Sequence, residues 1–554
     1  MMKYSKSFKY VGILAIVALS CWVGYVQYQQ YQQQKIQALL LETMKAELAQ
    51  GRPAGCMATV TQANTGPGNF EWGKVHALVR NTVVQVFVYS AQFNWSEPYK
   101  TPKQMGASGS GFFIDESGLL MTNAHVVDQH RAAYIQIPHF GKRRFDVEVI
   151  GVCPERDLAL LRVIPEDLAI IIHELGAVPF LKFGDSDTIR RADEIMTLGY
   201  PLGQQSLKST VGIVSGRQHI DGHAMIQIDA PINPGNSGGP SLNKAGCVVG
   251  INSAGISEGG TQNVGYIIPI SEVQLFLKQL EDTPVTDGIK FLRKPFLGMI
   301  SGNGSDAIAE YLHNPKQHGF YVVEVYPGSP FDKAGVKPGD MVYEIDGHAV
   351  DYFGEIQVHW SEDKVSLYDY VSRLMPGDTI HVVVYRNGVK KELAAQFDFS
   401  AVTPVRMRYP GYETIDYELI GGMVVMELAL NHIALFLQSN AQLVKYACLE
   451  HQMEPALIIT HILPNSESSK ARSLFPATIL KEINGKPVTT LAQFRDYASE
   501  SMQSGYLTIK TEGNVFAVLP FARVLRDEPV LSSSYFYTIT PFTQSLLKQI
   551  GAIK

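Results

Sequence analysis

The sequence predicts a mainly β fold in which one large domain precedes two smaller α+β modules. From about residue 72 to 279, short apolar runs alternate with Gly-rich turns, a spacing typical of β-barrels and β-sandwiches. Residues 319–350 and 456–488 then share one order of elements, in which an apolar strand, a Pro-containing turn and a short helix precede a strand ending in IDG or ING. Two divergent copies of one fold account for this order.

Size and composition indicate an ordinary globular protein. A chain of 554 residues predicts three or four domains, at about 100–200 residues each. Hydrophobic residues make up 45% and charged residues 18%, which excludes a disordered chain. The net charge of −6 and the lack of a long basic run argue against nucleic acid as a partner. Scattered cysteines without CxxC spacing predict neither a disulfide framework nor a zinc finger, and we expect no metal and no cofactor. They are Cys21, Cys56, Cys153, Cys247 and Cys448.

The N-terminal residues 1–26 predict a signal anchor or signal peptide. Three lysines at positions 3, 6 and 9 precede an apolar run at 11–26 of marginal membrane-spanning length. The apolar run continues past the small residues at 18–20, which favours an uncleaved anchor over cleavage. In both cases the bulk of the chain crosses the membrane. Residues 27–71 then predict a helical stalk and linker, with a flexible joint at 61–69.

The large domain is assigned to residues 72–284. Its strands include TVVQVFVYS, AAYIQI, FDVEVIGV and MIQIDAPI, and a helix at 271–282 closes it. A long polar insertion at 88–111 lies between two of these strands. The first module is assigned to residues 290–400, and within it residues 376–393 predict a hairpin turned by Asn387 and Gly388.

The second module is assigned to residues 404–525, and residues 526–554 form a C-terminal tail without an assigned role. The second module carries a segment that is longer than a minimal copy of this fold needs. We therefore expect it to hold protomers together or to bind an internal segment, with peptide binding in doubt.

Ser237 lies in INPGNSGGPSL, where small residues allow the backbone to approach another group closely. A serine hydroxyl needs a base to become a nucleophile, and histidine has a suitable pKa. His125 in LLMTNAHVVD is presented where a strand ends, and Asp157 in CPERDLALLRV precedes an apolar run. Pairing with the imidazole gives this carboxylate a partner and fixes the tautomer. The N–H groups of Gly235 and Ser237 are placed to stabilise an oxyanion.

TNAHVV, DLALLRV and GNSGGP, in this order, resemble the HtrA/Deg family of trypsin-like serine proteases, and the two modules resemble the PDZ domains of that family. The resemblance covers about residues 74–525. It implies a double six-stranded β-barrel, with His125 as general base, Asp157 as orienting acid, Ser237 as nucleophile, and Gly235 and Asn236 in the oxyanion-hole turn. GNSGG also fits the G-x-S-x-G elbow of α/β-hydrolases, but a turn and strand follow here, and the order of His, Asp and Ser differs.

The resemblance also implies binding residues. It places Ile232 and Ile256 in the primary specificity pocket, where small or branched aliphatic side chains are favoured. Pro231 stands where enzymes specific for basic residues carry Asp, so cleavage after Val, Ile or Ala is predicted. The insertion at 88–111 matches a loop that regulates or assembles the protease. In the first module, the carboxylate-binding loop of a PDZ domain is matched by Phe296, Leu297, Gly298 and Met299.

The predicted function is that of an ATP-independent serine endopeptidase that degrades unfolded or misfolded proteins. Its PDZ modules are predicted to bind peptide or substrate C-termini. No phosphate-binding glycine loop is present, which supports ATP independence. The alternative is a PDZ-based chaperone or scaffold with latent peptidase activity. A homo-oligomer of trimers or their multiples is implied by the resemblance. The lysine-flanked anchor favours the bacterial periplasm, with attachment to the inner membrane.

Overall fold

The computed structural model describes residues 72–204, 206–220, 222–253, 264–286, 288–398 and 403–551. The predicted anchor and stalk at 1–71 lie outside these ranges, as does Ile256. Among the helices of the described ranges, none combines the length and the apolar character that a membrane span requires.

The large domain begins with a closed six-stranded barrel. Six strands are joined in the order β5, β4, β1, β2, β3 and β6, and pairing of β5 with β6 closes the ring. Its elements are helix α1 (Trp72–Val79) and strands β1 (Val83–Gln92), β2 (Lys103–Phe113), β3 (Leu119–Thr122), β4 (His130–Gln136), β5 (Phe145–Cys153) and β6 (Leu158–Val163). In β5 the alternation places Phe145, Val147 and Val149 inside and Asp146 and Glu148 outside.

A second closed barrel follows helix α2 (Pro165–Leu175). Its strands are joined in the order β10, β11, β12, β9, β8 and β7. They are β7 (Glu194–Gly199), β8 (Lys208–Ile220), β9 (His223–Ile228), β10 (Pro240–Leu242), β11 (Val248–Ser253) and β12 (Gly265–Pro269). Helix α3 (Ile270–Asp282) and strands β13 (Val285–Thr286) and β14 (Ile289–Phe291) complete the domain. Strand β14, which follows the predicted domain 72–284, pairs with β5 of the first barrel.

The first module contains a sheet in the order β15, β16, β17, β21 and β22, with β18 paired to β17, and a separate β19–β20 pair. Asn387 and Gly388 turn the predicted hairpin with φ angles of 48° and 79°. The elements are β15 (Met299–Gly302), α4 (Asp306–Tyr311), β16 (Phe320–Val325), α5 (Pro330–Ala334), β17 (Met341–Ile345), β18 (His348–Ala349), β19 (Glu355–Ile356), β20 (Val365–Ser366), α6 (Leu367–Ser372), β21 (Thr379–Arg386) and β22 (Val389–Gln396).

The second module contains a sheet in the order β23, β24, β25, β26, β28 and β29, with β27 paired to β26. Its elements are β23 (Tyr417–Ile420), β24 (Met423–Glu427), α7 (Leu430–Phe436), α8 (Leu449–Gln452), β25 (Leu457–Ile462), α9 (Glu467–Lys470), β26 (Thr478–Ile483), β27 (Lys486–Pro487), α10 (Leu491–Ser499), α11 (Ser501–Ser504), β28 (Tyr506–Thr511) and β29 (Phe516–Pro520). The two barrels and the two sheet-rich modules confirm the predicted fold class.

The predicted C-terminal tail at 526–554 packs on the second module. Helix α12 (Phe521–Tyr535) begins before this tail, and α13 (Pro541–Gln549) packs Leu546 and Leu547 into the core of the module. Glu528 on α12 is fully buried and accepts hydrogen bonds from the Gly421 N–H (3.0 Å) and the Tyr537 hydroxyl (2.7 Å). Burial raises the pKa of Glu528 to about 7. The apolar positions of the tail therefore serve packing.

Polar contacts join the first module to the barrels. Arg156 is buried, pairs with Glu272 on α3 and donates to the Ser372 carbonyl (2.8 Å). Arg373 forms a two-pronged pair with Asp187, at 2.7 and 2.9 Å. Two parallel N–H···O bonds fix orientation as well as distance, so these contacts set how α6 lies against the large domain.

The insertion at 88–111 is a long hairpin, not an irregular loop. Residues 83–92 and 103–113 pair as β1 and β2, so only the tip at residues 93–102 lies outside the strands. The tip lies on the second module, where Trp95 contacts His432 edge-to-face at a centroid distance of 5.0 Å and Tyr99 contacts Tyr537 at 5.7 Å. The insertion thereby joins the first barrel to the second module.

Candidate active site

The structure brings His125 and Asp157 into direct contact. His125 lies in a 3₁₀ turn (Ala124–Val126) after β3, and Asp157 follows another turn (Pro154–Arg156) with a φ of 54°. Nδ1 of His125 lies 2.9 Å from both carboxylate oxygens of Asp157, and the His125 backbone N–H donates to Oδ1 at 3.0 Å. A proton on Nδ1 satisfies this carboxylate and leaves Nε2 as an acceptor. An imidazole held in this way can act as a general base.

Two further side chains hold Asp157. The hydroxyl of Ser253, at the end of β11, donates to its Oδ2 at 3.2 Å. The amide of Asn123 donates to its backbone carbonyl at 2.9 Å. Ser253 belongs to the second barrel, so this bond crosses the cleft between the barrels. Sequence reasoning missed both residues, and Ser253 lies 96 positions from Asp157 without a local pattern that links them.

The pKa of His125 is raised above its ordinary value. Burial lowers it, but the hydrogen bond to Asp157 and the negative charges of Asp157 and Asp128 raise it by more. A raised pKa stabilises the protonated ring, which is the form produced when the imidazole accepts a proton.

Ser237 lies in a turn with three glycines whose backbone needs them. Gly235 and Gly238 have φ angles of 98° and 85°, which L side chains rarely adopt. A Cβ on Gly235 would overlap the carbonyl oxygen of Tyr200. Ser110 fastens the turn, since its hydroxyl donates to the Gly235 carbonyl (2.7 Å) and its N–H donates to the Ser237 carbonyl (2.8 Å). Ser110 is a positioning residue that sequence reasoning did not identify.

Backbone contacts place this turn at the same cleft as the His125–Asp157 pair. A Cβ on Gly109 would lie 2.7 Å from the Val126 side chain and 3.2 Å from the Ser237 carbonyl oxygen. Gly238 donates to the Asn252 carbonyl at 2.9 Å. Val126 follows His125 in sequence, and Asn252 precedes Ser253, which binds Asp157. The three predicted catalytic residues therefore belong to neighbouring segments of one cleft.

The predicted oxyanion-hole residues differ in the hydrogen bonds that their backbone N–H groups form. The Asn236 N–H donates to the Asn233 carbonyl at 2.9 Å, so it maintains the turn. Among the described residues, no hydrogen bond is formed by the Gly235 N–H. Ser237 is almost fully buried. Of the two predicted pocket residues, Ile232 is half-buried at the end of the second barrel and packs on its core, while Ile256 is not described.

In the first module, the predicted carboxylate loop precedes β15, which is the edge strand of its sheet. Leu297 and Met299 are buried in the module core, whereas Phe296 is half-buried against Tyr326 at 5.1 Å. Gly298 has a φ of 82° and lies against Ser329. A peptide strand has an edge to join here, but two of the four predicted side chains serve the core.

The second module repeats this arrangement with one difference. Gly422 lies against Ser466 as Gly298 lies against Ser329, so β24 corresponds to β15. The edge of β24, however, is already paired with β23 along residues 417–420. An internal segment therefore occupies the position where a PDZ module adds a peptide strand, which is one of the two alternatives that the sequence left open.

Among the described residues, no group of three or more His, Cys, Asp or Glu side chains is arranged to hold a metal ion.

Comparisons with known proteins agree with this architecture. A family model described as a trypsin-like peptidase domain matches residues 109–251, and one described as a PDZ domain matches residues 298–396. A protein from Hahella chejuensis named "Probable periplasmic serine endoprotease DegP-like" is 28% identical over 409 residues, 73% of this chain and 77% of that protein.

Two further relatives and a solved structure are also similar. The Chlamydia trachomatis protein of the same name is 33% identical over 53% of this chain, which spans 54% of that protein. "Protease Do-like 2, chloroplastic" of Arabidopsis thaliana is 28% identical over 80% of this chain and 72% of that protein. The structure "HtrA-type protease AlgW with decapeptide" is 27% identical, covers 59% of this chain and 98% of its own, and has a TM-score of 0.45.

Two six-stranded barrels with a peptidase match, followed by a first module with a PDZ match, define a serine endopeptidase of the trypsin-like class. The relatives from Hahella chejuensis and Chlamydia trachomatis are both named as serine endoproteases. These matches support a serine protease of the HtrA/Deg type with a PDZ domain. These findings favour the endopeptidase over the alternative of a chaperone or scaffold with latent activity.

Proposed function

We propose that the chain hydrolyses peptide bonds through an acyl-enzyme formed on Ser237. The Ser237 hydroxyl attacks the scissile carbonyl carbon and gives its proton to Nε2 of His125. Collapse of the tetrahedral intermediate breaks the C–N bond, and the leaving amine takes that proton. Water then hydrolyses the ester by the same route. The observation that carries this proposal is the 2.9 Å contact of Nδ1 with both Asp157 oxygens.

The N–H groups of Gly235 and Ser237 stabilise the oxyanion in this proposal, and Asn236 shapes their turn. Removing one such donor costs about 10²–10³-fold in rate. Ile232 and Ile256 line the primary pocket, so cleavage follows Val, Ile or Ala. The half-buried, apolar position of Ile232 supports this role. A cleavage profile dominated by Lys or Arg immediately before the cut would contradict it.

The substrates we propose are unfolded or misfolded proteins, degraded without ATP. The first module binds peptide or substrate C-termini along the edge of β15, using the loop at Phe296–Met299. The second module does not add a peptide at β24, because β23 occupies that edge. A homo-oligomer of trimers or their multiples is the proposed assembly, and size-exclusion chromatography with light scattering tests it.

We place the protein in the bacterial periplasm, attached to the inner membrane by residues 1–26. The relatives named as periplasmic proteases and the lysine-flanked apolar run support this location. Fractionation of cells that express the full chain, with protease accessibility from the periplasmic side, tests both parts.

Casein digestion by the full chain and by Ser237→Ala tests the catalytic assignment. We expect peptide release only from the parent, and fluorophosphonate labelling of the parent at Ser237. Equal release by both proteins would rule out Ser237 as the nucleophile. Binding of unfolded casein by the inactive variant would show a holding role in addition.

A further inference from the structure

A cavity of about 350 Å³ opens beside the His125–Asp157 pair, and the barrels form only part of its wall. Asp128 and Pro154 line it on the barrel side. The rest of the lining comes from residues 407–410 and 412, in the segment between the two modules, from Asn431 of α7 and from Trp95 of the insertion. A substrate bound to the catalytic residues must therefore pass a surface that the downstream part of the chain supplies.

Specific contacts fix this part of the wall. The Tyr412 hydroxyl donates to the Val127 carbonyl at 3.1 Å, and its ring stacks on Phe291 at 5.8 Å. Arg293 binds Glu155 on the barrel side and Glu413 on the segment, both at 2.6 Å. Bonds of this number and type hold the segment in one position against the barrel. The wall is a fixed part of the site.

The charges around the cavity leave one carboxylate without a cationic partner. Arg408 is paired with Glu427 at 3.0 Å, and Asp157 is paired with His125. Asp128 is exposed and accepts a hydrogen bond from the Gln129 side-chain amide at 2.9 Å, and among the described residues it forms no ion pair. The cavity thus presents the carboxylate of Asp128, three residues along the chain from His125, and aromatic rings line the same cavity.

We propose that this cavity is a substrate subsite for a lysine or arginine side chain close to the scissile bond. Asp128 would pair with the cation, and Trp95 and Tyr412 would contact its aliphatic stem and charged head. A carboxylate and an aromatic face are the two groups that a guanidinium or ammonium binds most favourably in proteins. Because the cavity adjoins His125, the side chain belongs to a residue one or two positions from the cut. This inference rests on the proposed catalytic role of His125.

Matched peptides test the subsite with the full chain. We use internally quenched peptides that are cleaved after Val. In each peptide one other position near the cut carries either arginine or its neutral isostere citrulline. At one position we expect arginine to give a kcat/KM about tenfold above that of citrulline. Asp128→Asn should bring this ratio to about one, whereas Asp128→Arg should favour glutamate over glutamine at the same position. Glu148→Gln, an exposed carboxylate on the outer face of β5, is the control and should preserve the ratio.

Cleavage sites mapped in casein by mass spectrometry provide the second measurement. The subsite predicts an enrichment of Lys and Arg at one flanking position, lost in Asp128→Asn. Digestion without such enrichment, or an arginine-to-citrulline ratio that Asp128→Asn leaves intact, would overturn the subsite alone. A parent chain that digests neither casein nor any peptide would overturn the proposed catalytic function, and the subsite with it.

Discussion

Asp157→Asn removes one negative charge from the centre of the site with almost no change in shape. The carboxylate accepts the His125 N–H, lies 2.9 Å from Nδ1 with both oxygens, and accepts the Ser253 hydroxyl. An asparagine has one oxygen, so it cannot accept from all three donors. Its NH₂ group also competes for Nδ1, which favours the tautomer whose Nε2 already carries a proton.

The magnitude follows from the geometry. When His125 accepts the Ser237 proton, a full positive charge forms 2.9 Å from the carboxylate. At an effective dielectric constant of about 20, that attraction is about 6 kcal/mol, or about 10⁴ in rate. Water screens part of it, because 46% of the His125 side chain is exposed in the free protein. We therefore expect kcat/KM to fall by about 10³–10⁴-fold.

The assay is kcat/KM on a quenched peptide from pH 5 to 9, with Glu148→Gln as control and thermal unfolding as a check of folding. The base must be neutral, so the rate of the parent falls as the pH drops through the raised pKa of His125. Without the Asp157 charge that pKa falls, and the acidic limb moves to lower pH. A folded Asp157→Asn enzyme within tenfold of the parent would refute the assigned geometry.

Three further predictions concern the turn, a buried acid and a buried ion pair. Gly235→Ala should lower kcat/KM by about 10²–10³-fold. Its control is Gly246→Ala, a position of positive φ (76°) where a Cβ would make only an ordinary contact with Val75 at 3.5 Å, and this variant should leave activity intact. The pKa of Glu528, raised from 4.5 to about 7, means that the folded state holds the extra proton between these values, so stability falls as pH rises. Glu528→Gln should flatten this dependence of stability on pH and raise the free energy of unfolding by up to about 3 kcal/mol at pH 8. Denaturant unfolding measures both, and an unchanged pH dependence would contradict the prediction. Arg156→Met should lower the free energy of unfolding by about 3–5 kcal/mol, because it leaves Glu272 buried and unpaired. Adding Glu272→Leu should restore most of this loss. Additive losses from the two substitutions would show that the pair is not coupled.

Local chemistry explains why so much of the fold could be predicted. Alternating apolar residues in β5 and the Asn387–Gly388 turn each specify a backbone conformation within a few residues. The glycines around Ser237 likewise indicate a tight turn, because only glycine adopts their φ angles without strain. The order of the three catalytic motifs added the resemblance to a family.

Other features depended on contacts between distant residues. Sequence patterning ended the second module at residue 525, because nothing local shows that Leu546 and Leu547 belong to its core. The sequence left open whether the second module binds an internal segment or another protomer, since an apolar strand pairs equally well with a strand of its own chain or of a partner. The pairing of β23 with β24 is the first of these alternatives.

The sequence by itself predicted a strand-rich domain followed by two copies of one module, because periodicity and short motifs are local properties of the chain. The double barrel and the proposed roles of His125, Asp157 and Ser237 came from motifs that resemble a family. Only the tertiary structure decided that Ser253 holds Asp157 across the cleft and that the segment around Tyr412 walls the cavity beside His125. These contacts join residues that are about 100 to 290 positions apart. Their formation depends on how whole domains pack, which no short stretch of sequence encodes.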